Sequence, residues 1–260
     1  MSVQQNHTGN LIKVAYFFAG IWYIFRVALT KYPYYSKEDL EKRALEILCE
    51  YNYELLKIPQ PIPIENIIEN HYNLILDYQN LSLDGNILGL TTFETGYIKV
   101  YDKNAQKAYP LEVRSGTILI DNSIAEDQKQ NGRFRFTCAH EVSHWDLHKN
   151  IYFNQNAYRE EINAVKCLKR DVEKSFSNNK RKTPKEWLEW QADFLGASIL
   201  MPLPTVKEYY KIQYENIVSK IKKDDADYPF AINAVIKAVA DFFDVSERAM
   251  SIRLKSLGLI

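Results

Sequence analysis

The sequence predicts an α+β domain organised around one helix that carries chemistry. Three observations predict it. A helix-capping signal stands ahead of an amphipathic run at residues 36–51, strand-like segments fill residues 73–124, and helical periodicity returns from Arg133 onward. Composition agrees with a globular protein: 46% of the 260 residues are hydrophobic and 25% charged. Lysine plus arginine (33) equals aspartate plus glutamate (33), so the overall charge gives no support for a nucleic-acid binder. The three cysteines, Cys49, Cys138 and Cys167, are too few and too irregularly spaced for a disulfide framework or a thiolate metal site. Free thiols fit a reducing compartment, so a cytoplasmic location is expected.

Residues 1–32 read as an apolar N-terminal extension. The segment 11–29, LIKVAYFFAGIWYIFRVAL, carries Lys13 and Arg26, which leave an uncharged stretch shorter than the roughly 20 apolar residues of a membrane span. No basic residue precedes it and no small-residue cleavage site follows. Three readings stay open for it: a helix of the fold, a membrane-associated or signal-like segment, or an upstream translation start.

Ser36 and Asp39 then form a capping box before LEKRALEILCEY, where Leu40, Ala44, Leu45, Leu48 and Cys49 recur at helical spacing. The prolines of IPQPIPI end that helix, and IENIIENH (64–71) can make a short second one. NLILDY, NILGLTTFE, GYIKVYD and GTILIDNSI read as strands of a small antiparallel sheet. A helix through RFTCAHEVSHWDLHKN follows. The stretch 150–185, rich in lysine and arginine, reads as a solvated insertion. PKEWLEWQADFLGASILM makes another helix that starts at Pro184 and stops before Pro202. The expected organisation is a core over 33–204 and a C-terminal helical region over 205–260 packed on it.

Within the central helix stands His140-Glu141-Val142-Ser143-His144. Residues four apart share one helix face, so the two imidazoles can bind one ion from the same side. Glu141 can reach a water at that ion, whose pKa zinc lowers to about 7, and act as general base. With five histidines in the chain, a chance HExxH is on the order of one per cent. Phe134, Phe136, Cys138, Ala139, Val142 and Trp145 surround the trio with apolar residues, where unpaired charges would be costly.

A catalytic zinc needs a third protein ligand. Leu147 and Asn150 stand where a Gly-x-x-His ligand pattern needs glycine and histidine, which leaves a carboxylate from EWLEWQAD. Glu186, Glu189 and Asp193 are available there. Glu189 and Asp193 share a face with Ala192 and Gly196, so close helix approach favours Glu189 as ligand, with Asp193 bonded to a ligand histidine. Glu186, one turn earlier, stays open on spacing alone. His148, four residues past His144, can face a reacting oxyanion or serve structurally.

Three blocks together, RFTCAHEVSHWDLH, EWQADFLGASILMP and FDVSERAMSIRLKSLGLI, resemble the ImmA/IrrE family of zinc metallopeptidases over about residues 116–260. The resemblance implies a zincin-like core, a cytoplasmic zinc endopeptidase, and a helix-turn-helix transcriptional repressor as the protein that it cleaves. The family's E-x-x-A-(N/D) pattern falls on Glu189, Ala192 and Asp193, and so selects Glu189 over Glu186. Two features depart from the family: a long interval between His144 and Glu189, and the apolar segment 11–29, which admits a membrane-linked role. Two rivals remain: a non-catalytic zinc-fold regulator that sequesters a repressor, and a DNA-binding regulator using the C-terminal helix-turn-helix-like end. Residues 231–260 hold four basic residues (Lys237, Arg248, Arg253, Lys255) against three acidic (Asp241, Asp244, Glu247), too small an excess for the second.

Overall fold

The computed structural model describes residues 33–153, 164–168, 183–219, 221–222 and 224–260. The readings placed on residues 1–32, including the apolar segment 11–29, and on most of the stretch 150–185 lie outside the described residues. Among the described residues no helix is long and apolar enough to cross a membrane, so nothing described supports the membrane-associated alternative.

Helix α1 (Lys37–Asn52) starts at its capping box. The Asp39 N–H donates to the Ser36 hydroxyl at 3.1 Å, and the Ser36 N–H to the Asp39 carboxylate at 2.9 Å. Its buried stripe is Leu40, Ala44, Ile47 and Leu48, the i, i+4, i+7, i+8 rows of a 3.6-residue period. Cys49, one position further round, is exposed. The short helix expected at 64–71 is one turn, α2 (Ile64–Asn66), running into a π-turn (Ile67–His71).

Among the described residues six strands follow: β1 (Ile75–Gln79), β2 (Ile87–Thr92), β3 (Gly96–Asp102), β4 (Lys107–Val113), β5 (Thr117–Asp121) and β6 (Ala164–Leu168). The expected antiparallel sheet is replaced by a mixed one. Four strands pair in the order β1-β5-β2-β6, with β1 parallel to β5 and the other pairs antiparallel. β3 and β4 form a separate antiparallel hairpin. All five residues of β5 are buried, which suits the interior of a sheet covered on both faces. Ile118 and Ile120 join the main core, while Leu119 turns the other way, against Leu90, Ile98 and Val100 of the hairpin side. β6 lies inside the stretch read as a solvated insertion; five residues in a charged surrounding give no strand signal of their own. β4 carries no clear strand signal either, because Lys107, Pro110 and Glu112 interrupt its pattern.

The helices are α3 (Asn122–Ala125), α4 (Asn131–Phe153), α5 (Pro184–Leu200), α6 (Leu203–Val218), α7 (Tyr228–Phe243) and α8 (Glu247–Ser256). Thr183 and Glu186 cap α5 with a reciprocal box, and Pro184 sits in its first turn. Tyr35–Ile260 form one compact unit, so residues 205–260 share a core with the rest: Val206, Val235, Met250 and Leu254 belong to the same buried cluster as Leu40 and Phe136.

Polar ties hold the C-terminal helices to the long helix. Asp244 ends α7 in the left-handed region (φ 57°). It accepts from Asn131 at 2.7 Å, and its carbonyl accepts from the Arg135 guanidinium at 3.0 Å. Gly132 gives the room for this: a Cβ there would stand 3.0 Å from the Ser246 nitrogen. On α8, buried Arg253 pairs with Glu41 of α1 through both guanidinium arms, one at 2.9 Å, and donates to the Met201 carbonyl at 3.0 Å. Arg253, one of the four basic residues of the C-terminal end, is therefore committed inside the protein.

Removing one member of such a pair leaves the other desolvated. Arg253→Met is expected to lower the stability of the metal-free chain by about 3 kcal/mol, read from its urea midpoint. Lys255→Met, on the exposed face, leaves the midpoint unchanged.

Candidate metal centre

Helix α4 supplies His140, Glu141, His144 and His148, and α5 supplies Glu189, Gln191 and Asp193. The two helices cross closely because Gly196 has no side chain. A Cβ built on it would lie 3.0 Å from the Ala139 carbonyl carbon and 3.1 Å from the His140 nitrogen. Backbone against backbone at this point carries the carboxylates of α5 to the imidazoles of α4.

His140 Nε2 and His144 Nε2 stand 3.0 Å apart, and Glu189 Oε2 lies 3.4 Å from each. Among the described residues, His140, His144 and Glu189 form the one group of metal-ligating side chains whose donor atoms converge. A tetrahedral zinc at ordinary N and O distances sets its ligand atoms about 3.3 Å from one another. The observed triangle of 3.0, 3.4 and 3.4 Å is close to that. A proton shared between the two imidazoles would account for the first side. It would not account for a carboxylate oxygen equidistant from both rings.

The back of His140 is held as well: its Nδ1 lies 2.8 Å from Asp193 Oδ1. A carboxylate can only accept, so Nδ1 carries the proton and the lone pair of Nε2 turns toward His144 and Glu189. The sequence's open alternative, Glu186, is engaged elsewhere as the third residue of the α5 capping box.

Around this triangle the polar groups are buried. His144, His148, Glu141 and Gln191 have no measurable exposure, and His140 has 2%. Burial pushes the His144 imidazole below its ordinary value despite the neighbouring Glu189 charge. Burial alone would raise the Glu189 carboxyl, but His144 and His140 outweigh it and hold that group well below the usual carboxylate range. A buried carboxylate facing two imidazoles is a donor set that fits a divalent cation.

His148 has the contacts of a buried, hydrogen-bonded structural histidine, one of the two roles the sequence leaves open. Its Nδ1 is 3.0 Å from His144 Nδ1 and its Nε2 is 3.0 Å from Gln191 Oε1. With both nitrogens so engaged, it reaches the centre through His144 and does not face a reacting oxyanion. Burial and His144 push its imidazole down to about 3, so it is neutral.

Glu141 points to the sheet side of α4. Its Oε2 accepts from the Thr91 hydroxyl of β2 at 2.6 Å. Its Oε1 lies over Gly89, where a Cβ would come within 2.6 Å of it. Thr91, Gly89 and Gln191 were not singled out in the sequence. Gly89 and Thr91 sit two apart on a strand and so share the face toward α4; that spacing is their only sequence signal.

Neither the protein-family models nor the curated proteins compared with this chain match it.

Glu189→Ala is expected to weaken zinc binding at least 100-fold, measured by competition with a chromogenic chelator, while Glu186→Ala leaves it within about threefold. Equal losses in the two variants would remove Glu189 from the centre.

Proposed function

We propose that this chain is a zinc-dependent endopeptidase with a zincin-like core, and that its substrate is a helix-turn-helix transcriptional repressor. The observation that carries the enzymatic reading is the convergence of His140, His144 and Glu189, with Glu141 buried directly after His140 on the same helix. The substrate class is supported by the resemblance of three sequence blocks to the ImmA/IrrE peptidases.

His140, His144 and Glu189 would hold the ion, which supplies Lewis-acid chemistry, polarising the scissile carbonyl and easing deprotonation of water. Glu141 takes the proton of the attacking water on its carboxylate. The water oxygen adds to the carbonyl carbon, the C–N bond breaks, and Glu141 returns the proton to the departing amine nitrogen. Thr91 fixes the carboxylate by donating to Oε2. β6 is an edge of the four-stranded sheet and neighbours β2, the strand bearing Thr91; an extended segment of substrate can add there by main-chain pairing.

Glu141→Gln is expected to abolish cleavage of a cognate repressor, a loss of at least 10³-fold, with zinc content unchanged. Full cleavage by this variant would sink the mechanism. If the native protein binds the repressor and yields no fragments on a gel, sequestration replaces proteolysis. Gly89→Ala separates positioning from metal binding: displacing the Glu141 carboxylate should lower the rate of cleavage 10- to 100-fold while the zinc stoichiometry remains native.

A further inference from the structure

The ring of His144 must turn a bare nitrogen toward His140 and Glu189 if the three are to bind a cation. For His140 the device is Asp193. For His144 the atom at the back is not a carboxylate but another imidazole, His148, at 3.0 Å between the two Nδ1 atoms. An imidazole is ambivalent, because a neutral ring has one N–H and one lone pair. Two arrangements satisfy the contact. In the first, His144 Nδ1–H donates to His148 Nδ1, so His144 Nε2 is bare and His148 carries its proton on Nε2. In the second, His148 Nδ1–H donates to His144, whose proton then sits on Nε2 and blocks the centre.

We propose that Gln191 is a positioning residue that decides between them: through His148 it sets the tautomer of His144, leaving the His144 Nε2 lone pair turned to His140 and Glu189. The His148 Nε2 lies 3.0 Å from Gln191 Oε1. A carbonyl oxygen accepts and cannot donate. In the first arrangement it receives the His148 Nε2–H. In the second it faces a bare nitrogen, two acceptors at contact distance. His144, His148 and Gln191 are all buried, so water does not relieve the mismatch. The chain Gln191–His148–His144 thus does at one imidazole what Asp193 does at the other. His148 and Gln191 stand behind His144, at its Nδ1 side, while its Nε2 faces His140.

This inference rests on the metal reading of the triangle, and its test separates the two. Long-range nitrogen–proton NMR of the full, metal-free chain should place the His144 proton on Nδ1 and the His148 proton on Nε2. A His144 proton on Nε2 overturns the relay, whether or not the site binds metal. Zinc titration then gives the second readout. Gln191→Met keeps the side-chain length and loses the acceptor; its zinc affinity should fall 10- to 100-fold. Gln191→Glu restores an acceptor and should stay within about threefold of native. Native affinity in Gln191→Met, or an equal loss in both variants, overturns the proposal. A native chain that takes up no zinc overturns the metal reading, while the tautomer assignment still decides the relay.

Discussion

The contact between Gly196 on α5 and the Ala139–His140 backbone on α4 is the constraint on which the rest of the site depends. At that spacing the two helices approach without side chains between them, and α5 delivers a carboxylate to each side of the imidazole pair. Glu189 meets both Nε2 atoms, and Asp193 meets His140 from behind. Several polar groups are thereby removed from water at once, a costly arrangement unless each is satisfied. The hydrogen bonds at the back of the rings are what leave the acceptors converging at the front.

The remainder of the fold reads as support for α4. On one side the sheet presents Gly89 and Thr91, a gap and a hydroxyl that together give the Glu141 carboxylate its place. β5 runs through the middle of that sheet, buried on both faces between α4 and the β3–β4 hairpin. At the other end, Asn131, Gly132 and Arg135 fasten the first turns of α4 to the turn between α7 and α8. A site whose donors must hold position to a fraction of an ångström benefits from elements fixed in this way. The helix-turn-helix-like end is packed into the main core. Its Arg253 is buried against Glu41, and Lys237 is engaged with Asp241 and Glu247.

Much of the site was legible because it is local. His140, Glu141 and His144 lie within five residues, and helical geometry alone puts the histidines on one face. The capping box at Ser36 and the cap at Ser246 are also interactions across three residues, and each helix begins where its cap stands. Strand pairing was not legible in this way. The sequence suggested antiparallel neighbours, yet β5 inserts between β1 and β2 and runs parallel to β1, because pairing is decided by burial on both sheet faces. β6 carries too few residues to announce itself, and it is a strand only because the edge of β2 is there to receive it.

By itself, then, the sequence determined the longer helices, the two histidines with their glutamate, and a short choice of carboxylates for a third donor. These follow from spacing along one chain segment, where bond geometry does the positioning. Only the tertiary structure decided that Glu189 meets the histidines while Glu186 caps its helix. It also decided that Thr91 and Gly89 hold Glu141, and that His148 faces Gln191 from behind His144. Those relations join residues some 40 to 50 positions apart, and no local pattern encodes the angle at which two helices cross.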